Sequence, residues 1–527
     1  MKRLTIISII AAITLCSCSS DPATVVGRVS CEGKGLKGVV ISDGVEVVTT
    51  NCLGRYKMAS AKTNGYVFIS IPSGYEVATE GLLPKHYVRI GANDIDTADF
   101  ELTKVNQEKF TLIVNTDIHL NGDSIDRDVE QFHDKYFPDL CKTAAEVEGP
   151  LYTLCLGDMS TDGKWAKNNY GLPEYLKEHE GYRGPIFHVM GNHDNQPKGK
   201  GTVEEWIRFI GEKNYKETIG PDYYSMNIGK VHFVMMDNIM TLGPETDQRD
   251  AKVAGTGFGY AFDQEQLDWL AKDLSYVDKE TPLVMCYHVP LYKTSGVDEN
   301  GRTIIKERKS IFQTPDVLIN MVKDFKQVHF LCGHNHFTDT FNITENIVNH
   351  TVASAGAVSW KINDLDMPMI CSDGTAGGFQ IFTIDGKDIS WQLKSTYDTI
   401  EKSQMRIYDL NTIPVEYGGE PGSDMLLVNV FNWDELWKVE ATENGTALDV
   451  VRVIGHDPLY KQIRTETKTL VHRPTAFLTS VNTHMFKVKR INKDNKVIIT
   501  VTDRFGNVYT EEMKRPKAFN PQTYSAY

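Results

Sequence analysis

The sequence predicts an α/β core set between two all-β, sandwich-like domains. Residues 25 to about 103, and again from about residue 400 onward, read as short β-rich runs broken by glycine turns. The stretch between alternates apolar, strand-like runs with amphipathic helical segments, the layering of an α/β domain. At 527 residues, 41% apolar and 24% charged, the chain is too long for one core and has a globular composition, so about three domains are expected.

The N-terminus reads as a targeting segment. Lys2 and Arg3 precede the apolar run Leu4 to Leu15, which is shorter than the roughly 20 residues of a membrane-spanning helix. Leu15-Cys16-Ser17-Cys18 resembles a bacterial lipobox, with small Ser17 directly before Cys18 and bulky Leu15 directly before Cys16. The expectation is a lipoprotein signal peptide over residues 1–17, lipidation of Cys18, and a protein tethered to a membrane outside the cytoplasm, periplasmic or at the cell surface. Ser19 to Thr24 then serves as a leash.

In the first β module, residues 25–103, the strand-like runs are Val25–Val29, Gly38–Ile41, Val45–Thr49 and Tyr66–Ile71, a spacing that suggests a small β-sandwich. Cys31 and Cys52 share this module and have the option of pairing in an oxidising compartment, a question the sequence leaves open. Pro72-Ser73-Gly74-Tyr75 shapes a loop.

Across residues 108–395, five apolar runs each end in a short polar signature. Leu112-Ile113-Val114 leads to Asp117-Ile118-His119, Leu154-Cys155-Leu156 to Gly157-Asp158, and Ile186–Val189 to Gly191-Asn192-His193-Asp194. Leu283–Cys286 leads to His288, and Val328–Cys332 to Gly333-His334-Asn335-His336. Branched apolar runs of this length read as buried strands, so all five signatures fall at strand C-termini, where open α/β sheets form their ligand crevice. Any one signature alone has an ordinary explanation as a turn or a satisfied core histidine. Five in order, each behind a strand, point to a site. His133, His179, His188, His232, His329, His350, His456, His472 and His484 lie outside the pattern and read as structural or solvated.

The residue types fit two-metal chemistry. A pair of divalent ions about 3.5–4 Å apart clamps both oxygens of an in-line phosphoryl displacement and needs a bridging carboxylate with imidazole and oxygen donors divided between the ions. Asp158, behind the small Gly157, is the natural bridge. The other donors are Asp117, His119, Asn192, His288, His334 and His336. This mixed N/O set suits two divalent ions such as Mn, Fe or Zn.

The ordered signatures resemble the calcineurin-like metallophosphoesterases, whose pattern is Asp-x-His, Gly-Asp, Gly-Asn-His-Asp/Glu, His, and Gly-His-x-His. The resemblance covers about residues 108–395. It implies Asp117, His119 and His336 on a first metal, Asn192, His288 and His334 on a second, and Asp158 between them. It also implies a catalytic role for His193 as leaving-group acid or transition-state stabiliser. Where relatives carry an iron-bound tyrosine or an orienting aspartate, this chain has Thr161. A coloured ferric tyrosinate centre is therefore not expected. Asp162 or Asp194 takes over the orientation of His193, or Asp162 merely stabilises the turn at Asp162-Gly163; the alternatives stay open. In the same three-part, extracytoplasmic branch the flanking modules resemble a carboxypeptidase-regulatory-like domain before the core and a second sandwich after it.

Helical stripes separate the core strands. Ile125, Val129, Phe132, Tyr136 and Leu140 form one apolar face, with Pro138 ending or kinking it; Leu267, Leu270 and Leu274 form another. Thr314-Pro315 opens a further helix with a cap and first-turn proline, running toward Phe325. Three stretches read either as loops available for substrate contact or, equally, as packed connectors: Thr161–Gly171 with Trp165 and Tyr170, Gln248–Tyr260, and Ala353–Gly378 with Trp360 and Cys371–Gly374. Gly255–Gly259 does not sit between a strand and a helix and is not a nucleotide fingerprint. Cys155, Cys286 and Cys332 read as small buried apolar residues.

The C-terminal module, residues 400–527, reads as β throughout, with Leu426–Phe431, Asp449–Val453, Phe486–Lys489 and Val497–Val501 as strands. Trp433 and Trp437 invite a carbohydrate-binding reading, but packing is the commoner use of two tryptophans at this spacing. The formal charge of -14 argues against nucleic acid as a partner. The expected reading is a hydrolase of phosphoesters, acting on a small molecule or a glycan- or lipid-linked phosphate, in contact with a membrane through its lipid anchor. The oligomeric state is unknown. The alternative is a non-catalytic glycan-binding or scaffold lipoprotein around an idle core.

Overall fold

The fold is taken from a computed structural model. It describes residues 22–520 apart from 125, 197–198, 244–256, 311, 359, 361–368, 397, 471–477 and 493. The leader, Cys16, Cys18, Ile125, His472 and most of Gln248–Tyr260 therefore lie outside the described residues.

Two sheets facing each other make the core. The first runs in the order Ile186–His188, Leu151–Cys155, Lys109–Asn115, Gly378–Asp385, Asp388–Ser395. The second runs Tyr224–Ile228, Val231–Met235, Leu283–Cys286, Val328–Cys332, Ile347–Thr351, Asp339–Thr344. In each, the central strands are parallel, with registers such as Val114 on Leu154 and Met285 on Phe330. Strands buried on both faces need apolar residues at every position. Leu151–Cys155, Leu283–Cys286 and Val328–Cys332 meet that demand, with all residues buried. Leu112, Val114, Phe382 and Ile384 of the first sheet meet Phe233, Val284 and Leu331 of the second in one apolar layer. This layer fixes the strand ends relative to one another, and all five polar signatures follow the C-terminal ends of parallel strands.

Helices cover the outer faces. Gln264–Leu274 is capped by Asp263, which accepts from Glu265 N at 2.8 Å, and buries Leu267, Leu270 and Leu274 as their spacing requires. The run Asp128–Glu146 continues past Pro138 because a π-helical turn, Phe132–Tyr136, precedes it and absorbs the missing amide. The helix Asp316–Val322 has Pro315 at its N-cap position without a side-chain cap, so Thr314 does not play the capping role its sequence suggests.

The N-terminal module is a two-sheet sandwich that merges with the core. Tyr66–Ile69 is buried along its whole length, and Phe68 meets Trp269 at 5.8 Å between ring centroids. Truncating a buried tryptophan at such a junction typically costs about 3–5 kcal/mol. Ser73 Oγ donates to Gly229 O at 2.5 Å and Gly74 N to Gln107 Oε1 at 2.8 Å, which pins the Pro72–Tyr75 loop beside the N-terminal end of strand Lys109–Asn115, away from the signatures. Cys31 and Cys52 are unpaired thiols.

The C-terminal region holds two four-stranded sheets, with Met405–Asp409, Met425–Val430, Asn482–Lys489 and Val450–Gly455 in one and Thr446–Ala447, Lys438–Glu443, Val497–Thr502 and Val508–Met513 in the other. It also contains a helix, Pro458–Leu470, that the β reading omits. Asp457-Pro458 is the start signal, with Asp457 Oδ1 accepting from Tyr460 N at 2.9 Å. Trp433 and Trp437 are buried in the sandwich core, so packing is their role. Among the described residues no helix is long and apolar enough to cross a membrane.

Candidate metal centre

At the strand ends the backbone is bent sharply to turn side chains inward. Asp117, His119, Asp158, His334 and His336 all adopt positive φ, at 52°, 50°, 55°, 69° and 53°. Non-glycine residues avoid this region, and such strain clusters where neighbouring structure over-determines it. The loops are also zipped to each other. Asp117 N donates to Gly157 O at 3.0 Å, His119 N to Asp158 O at 2.9 Å, and Gly333 N to His288 O at 2.9 Å. Glycine is required for this approach. A Cβ on Gly333 would lie 1.9 Å from Thr116 Oγ1, and one on Gly157 2.6 Å from Gly191 N. Gly157 thus makes room both for the Gly191 backbone and for the His288 ring, whose Nδ1 would lie 2.9 Å from that Cβ.

The seven predicted donors converge on one buried spot. Asp117, His119 and His336 form one cluster and Asp158, His288 and His334 another, the ligand atoms of each within 4.8 Å of one another. Asp158 Oδ2 lies 3.5 Å from His119 Nε2 and 3.2 Å from His288 Nε2, so a single oxygen faces both clusters. Asn192 Oδ1 joins the second cluster at 3.1 Å from His288 Nε2 and 2.7 Å from His334 Nδ1.

The donor set fits a pair of cations on three counts. Asp117 Oδ1 is buried with no hydrogen-bond donor, a costly state for an anion unless a cation faces it. His288 Nδ1 sits 2.7 Å from Leu156 O and His336 Nδ1 2.5 Å from Ala357 O; because a carbonyl only accepts, both Nδ1 atoms carry the hydrogen. Their Nε2 atoms then point at Asp158 Oδ2 and Asp117 Oδ1, each at 3.2 Å, where a proton or a metal ion must stand between them. His119 Nε2 and His336 Nε2 face each other at 3.1 Å, and repulsion between their lone pairs calls for the same remedy. On the protein's own charges, burial would raise Asp158 and Asp117. The imidazoles outweigh it, His288 and His193 holding Asp158 well below the usual carboxylate range and His336 holding Asp117 at about 2.

His193 lies at the rim, its ring 5.3 Å from that of His119 and its side chain 38% exposed, open to a substrate. Its Nδ1 is 3.0 Å from Asp162 Oδ1. Burial would lower its pKa, but Asp158, then Asp162, raises it to about 9. Asp162 therefore orients His193. Asp194 does not: its carboxylate accepts from the backbone N–H groups of Asp158, Gly191, Met159 and Ser160 at 2.8, 2.9, 2.9 and 3.3 Å, a brace beneath the bridging residue. The expected catalytic role for Asp194 is corrected accordingly. Asp162→Asn is expected to lower turnover about 10- to 100-fold with metal content unchanged, as losing an orienting partner does; metal analysis beside steady-state rates checks both halves.

Other contributors carry no motif. Thr161 Oγ1 is 3.2 Å from His119 Nδ1, Ser354 Oγ donates to Asp117 O at 2.9 Å, and Trp360 Nε1 donates to Ile118 O at 2.7 Å. The small-residue run Ala353-Ser354-Ala355-Gly356-Ala357 is the one sequence trace of this close packing. In two of the three stretches the aromatics take the packed-connector alternative: Trp165, Tyr170 and Trp360 are buried, and Asp162–Asn168 is a helix. From the third, Gly257–Tyr260 is a strand paired with Ile239–Gly243. Its Phe258 and Tyr260 rings stand edge-on to His334 at 6.3 and 6.1 Å.

Two ligand clusters sharing one carboxylate, at the C-terminal edges of a two-sheet α/β core, define the two-metal phosphoesterase class. Comparison with known proteins agrees. The family model for calcineurin-like phosphoesterase matches residues 110–337, that for its N-terminal part matches 23–105, and that for its C-terminal part matches 349–509. The chain belongs to the calcineurin-like phosphoesterase family. Among curated relatives it is 32% identical over 241 residues to purple acid phosphatase 15 of Arabidopsis thaliana and 25% identical over 218 residues to purple acid phosphatase 23 of the same plant. These matches cover 42% and 41% of this chain but only 40% and 39% of the relatives' lengths. Among solved structures it is similar to a dimetal phosphatase from Danio rerio (TM-score 0.31, 13% identity, 54% of this chain and 95% of that one). It is also similar to a purple acid phosphatase from yellow lupin seeds (TM-score 0.35, 13% identity, 68% and 67%).

Proposed function

We propose that the protein is a dinuclear metal-dependent hydrolase of phosphoesters, a phosphatase or phosphodiesterase. The observation that carries this reading is the position of Asp158 Oδ2, within 3.5 Å of an imidazole from each of two clusters. Two divalent ions, when bound, supply Lewis acidity to the phosphoryl oxygens and lower the pKa of water. The chain holds them with Asp117, His119 and His336 on one side and Asn192, His288 and His334 on the other. It fixes the ring orientations through Leu156 O and Ala357 O, and presents His193 at the open rim to donate a proton to the departing oxygen. Placement outside the cytoplasm, on an acyl chain at Cys18, is part of the same proposal and rests on the leader sequence alone. A small phosphoester or a glycan- or lipid-linked phosphate then meets the enzyme at that membrane.

A panel of sugar phosphates, nucleotides, lipid head groups and diphosphates, assayed with Mn, Fe and Zn in turn, tests the reading. Turnover of at least one class in the presence of metal and its loss on chelation are expected; metal uptake with no turnover of any class would refute the hydrolase. His193→Ala, with both metals retained, is expected to slow substrates with alkyl leaving groups about 10²–10⁴-fold and p-nitrophenyl esters much less. Equal slowing of both would deny it the proton-donor role.

A further inference from the structure

We propose that the C-terminal sandwich is a positioning element of the metal centre: it grips the loop 371–375, which sets the backbone of His336, so that its hold tunes affinity for the first metal and not for the second. The inference rests on the dinuclear reading above and deepens it.

The stretch 352–377 connects strand Ile347–Thr351 to strand Gly378–Asp385 and touches the first cluster repeatedly. Ser354 Oγ donates to Asp117 O at 2.9 Å, Ala355 N to Thr116 O at 3.0 Å, and Trp360 Nε1 to Ile118 O at 2.7 Å. His336 Nδ1 donates to Ala357 O, and the His336 carbonyl accepts from Ser372 N at 3.0 Å. Asp373 secures the chain two residues past that ligand, its Oδ2 accepting from Thr338 N at 3.1 Å and from Thr338 Oγ1 at 3.2 Å. The positive φ of His336, 53°, is thus held between anchors from one loop. The second cluster is fixed from elsewhere, His288 by Leu156 O and the Asn192 carbonyl by Asn195 Nδ2.

The sandwich holds this loop by three successive carbonyls. Ser372 O accepts from Ser480 N at 3.0 Å, Asp373 O from Asn482 Nδ2 at 2.7 Å and Asn429 Nδ2 at 3.0 Å, and Gly374 O from Arg406 Nη1. Side chains join in, with Ser480 Oγ 2.6 Å from Ser372 Oγ and His484 Nε2 3.3 Å from Asp373 Oδ2. The two asparagines brace each other: Asn482 Nδ2 donates to Asn429 Oδ1, and Asn429 Nδ2 to Asp457 Oδ2, both at 3.0 Å. A Cβ on Gly374, whose φ is 87°, would stand 2.1 Å from Asp457 Cγ, so the turn fits against the sandwich only as glycine. Ser372, Asp373, Asn429, Asp457 and Asn482 are all buried. A buried polar network is costly to leave half satisfied, which gives the loop one seat. An apolar contact alone would join the two bodies and let the loop slide; directional bonds to consecutive carbonyls fix its register.

The test is calorimetric titration of the full chain with Mn, with His336→Ala and His334→Ala identifying the binding step that belongs to each metal. Asn482→Leu keeps the volume and removes the amide. It should raise the Kd of the first metal about 10- to 100-fold, as loss of outer support does, and leave that of the second within about 2-fold. Ile499→Ala hollows the core of the same sandwich without touching the loop, and should lower the melting temperature at least as far while changing neither Kd. Unchanged Mn binding in Asn482→Leu, equal weakening of both metals, or an equal loss of the first metal in Ile499→Ala overturns the proposal. Ser480→Ala removes a single hydroxyl contact and serves if Asn482→Leu fails to fold: a rise of about 2- to 5-fold in the first Kd alone supports the grip, and no rise overturns it. Wild-type protein that binds two Mn ions but turns over no ester would refute the hydrolase and leave the positioning role standing, whereas wild-type protein that binds no Mn would refute both.

Discussion

Asp158→Asn is expected to abolish turnover and to reduce bound metal from two ions per chain to one or none. The carboxylate is the one group shared by both clusters, with Oδ2 facing His119 and His288 and Oδ1 accepting from His193 N at 2.8 Å. The amide keeps the shape and removes the charge that balances two cations. Each ion contributes several kcal/mol of transition-state stabilisation, and 1.4 kcal/mol is tenfold, so a loss of about 10³-fold or more follows. Metal analysis of the purified variant and single-turnover rates measure the two effects. Two tightly held ions with undiminished rate would place the bridge elsewhere.

Gly191→Ala is expected to disrupt the centre without touching a ligand. The added Cβ would stand 2.1 Å from Asp158 N and 2.3 Å from Asp158 Oδ1, and 2.9 Å from the Gly157 carbonyl carbon. The nearest of these atoms is backbone and cannot rotate away, so the 157–160 loop must move and break the three N–H bonds it donates to Asp194. Overpacking of this kind costs about 1–3 kcal/mol or more. A displacement of about 1 Å at a reacting centre can cost roughly 10²-fold in rate. Thermal melts and steady-state rates on the same sample are the check; a variant with native melting temperature and native rate would mean that the loops are looser than the contacts imply.

Much of this centre was legible in the sequence because donor chemistry and fold periodicity coincide there. Imidazole, carboxylate and amide side chains stand directly behind apolar runs that only buried strands explain, so residue type and residue position point to the same place. Where that coincidence ends, legibility ends. Asp194 adjoins His193 in the chain and Asp162 lies 31 residues before it, and only the packing of the 157–162 loop decides that the distant one reaches the ring and the adjacent one the backbone. Trp165, Tyr170 and Trp360 looked like loop aromatics because composition does not reveal which face of a segment is covered. Leu156 O and Ala357 O, which fix two ligand rings, have no side-chain signature at all.

The fold shows the same division. Period-two and continuous apolar runs exposed the sandwiches and the core strands, whereas the helix Pro458–Leu470 was hidden in a region otherwise rich in β signals. The N-terminal module reads as separate in sequence but shares a core with the catalytic sheets, since both faces of Tyr66–Ile69 are covered.

The most direct test is anomalous diffraction from crystals of the protein grown with manganese. Two peaks about 3.5–4 Å apart are expected, one bounded by Asp117, His119 and His336, the other by Asn192, His288 and His334, both in contact with Asp158 Oδ2. A single peak, or two peaks that do not share Asp158, would contradict the dinuclear centre on which the whole account stands.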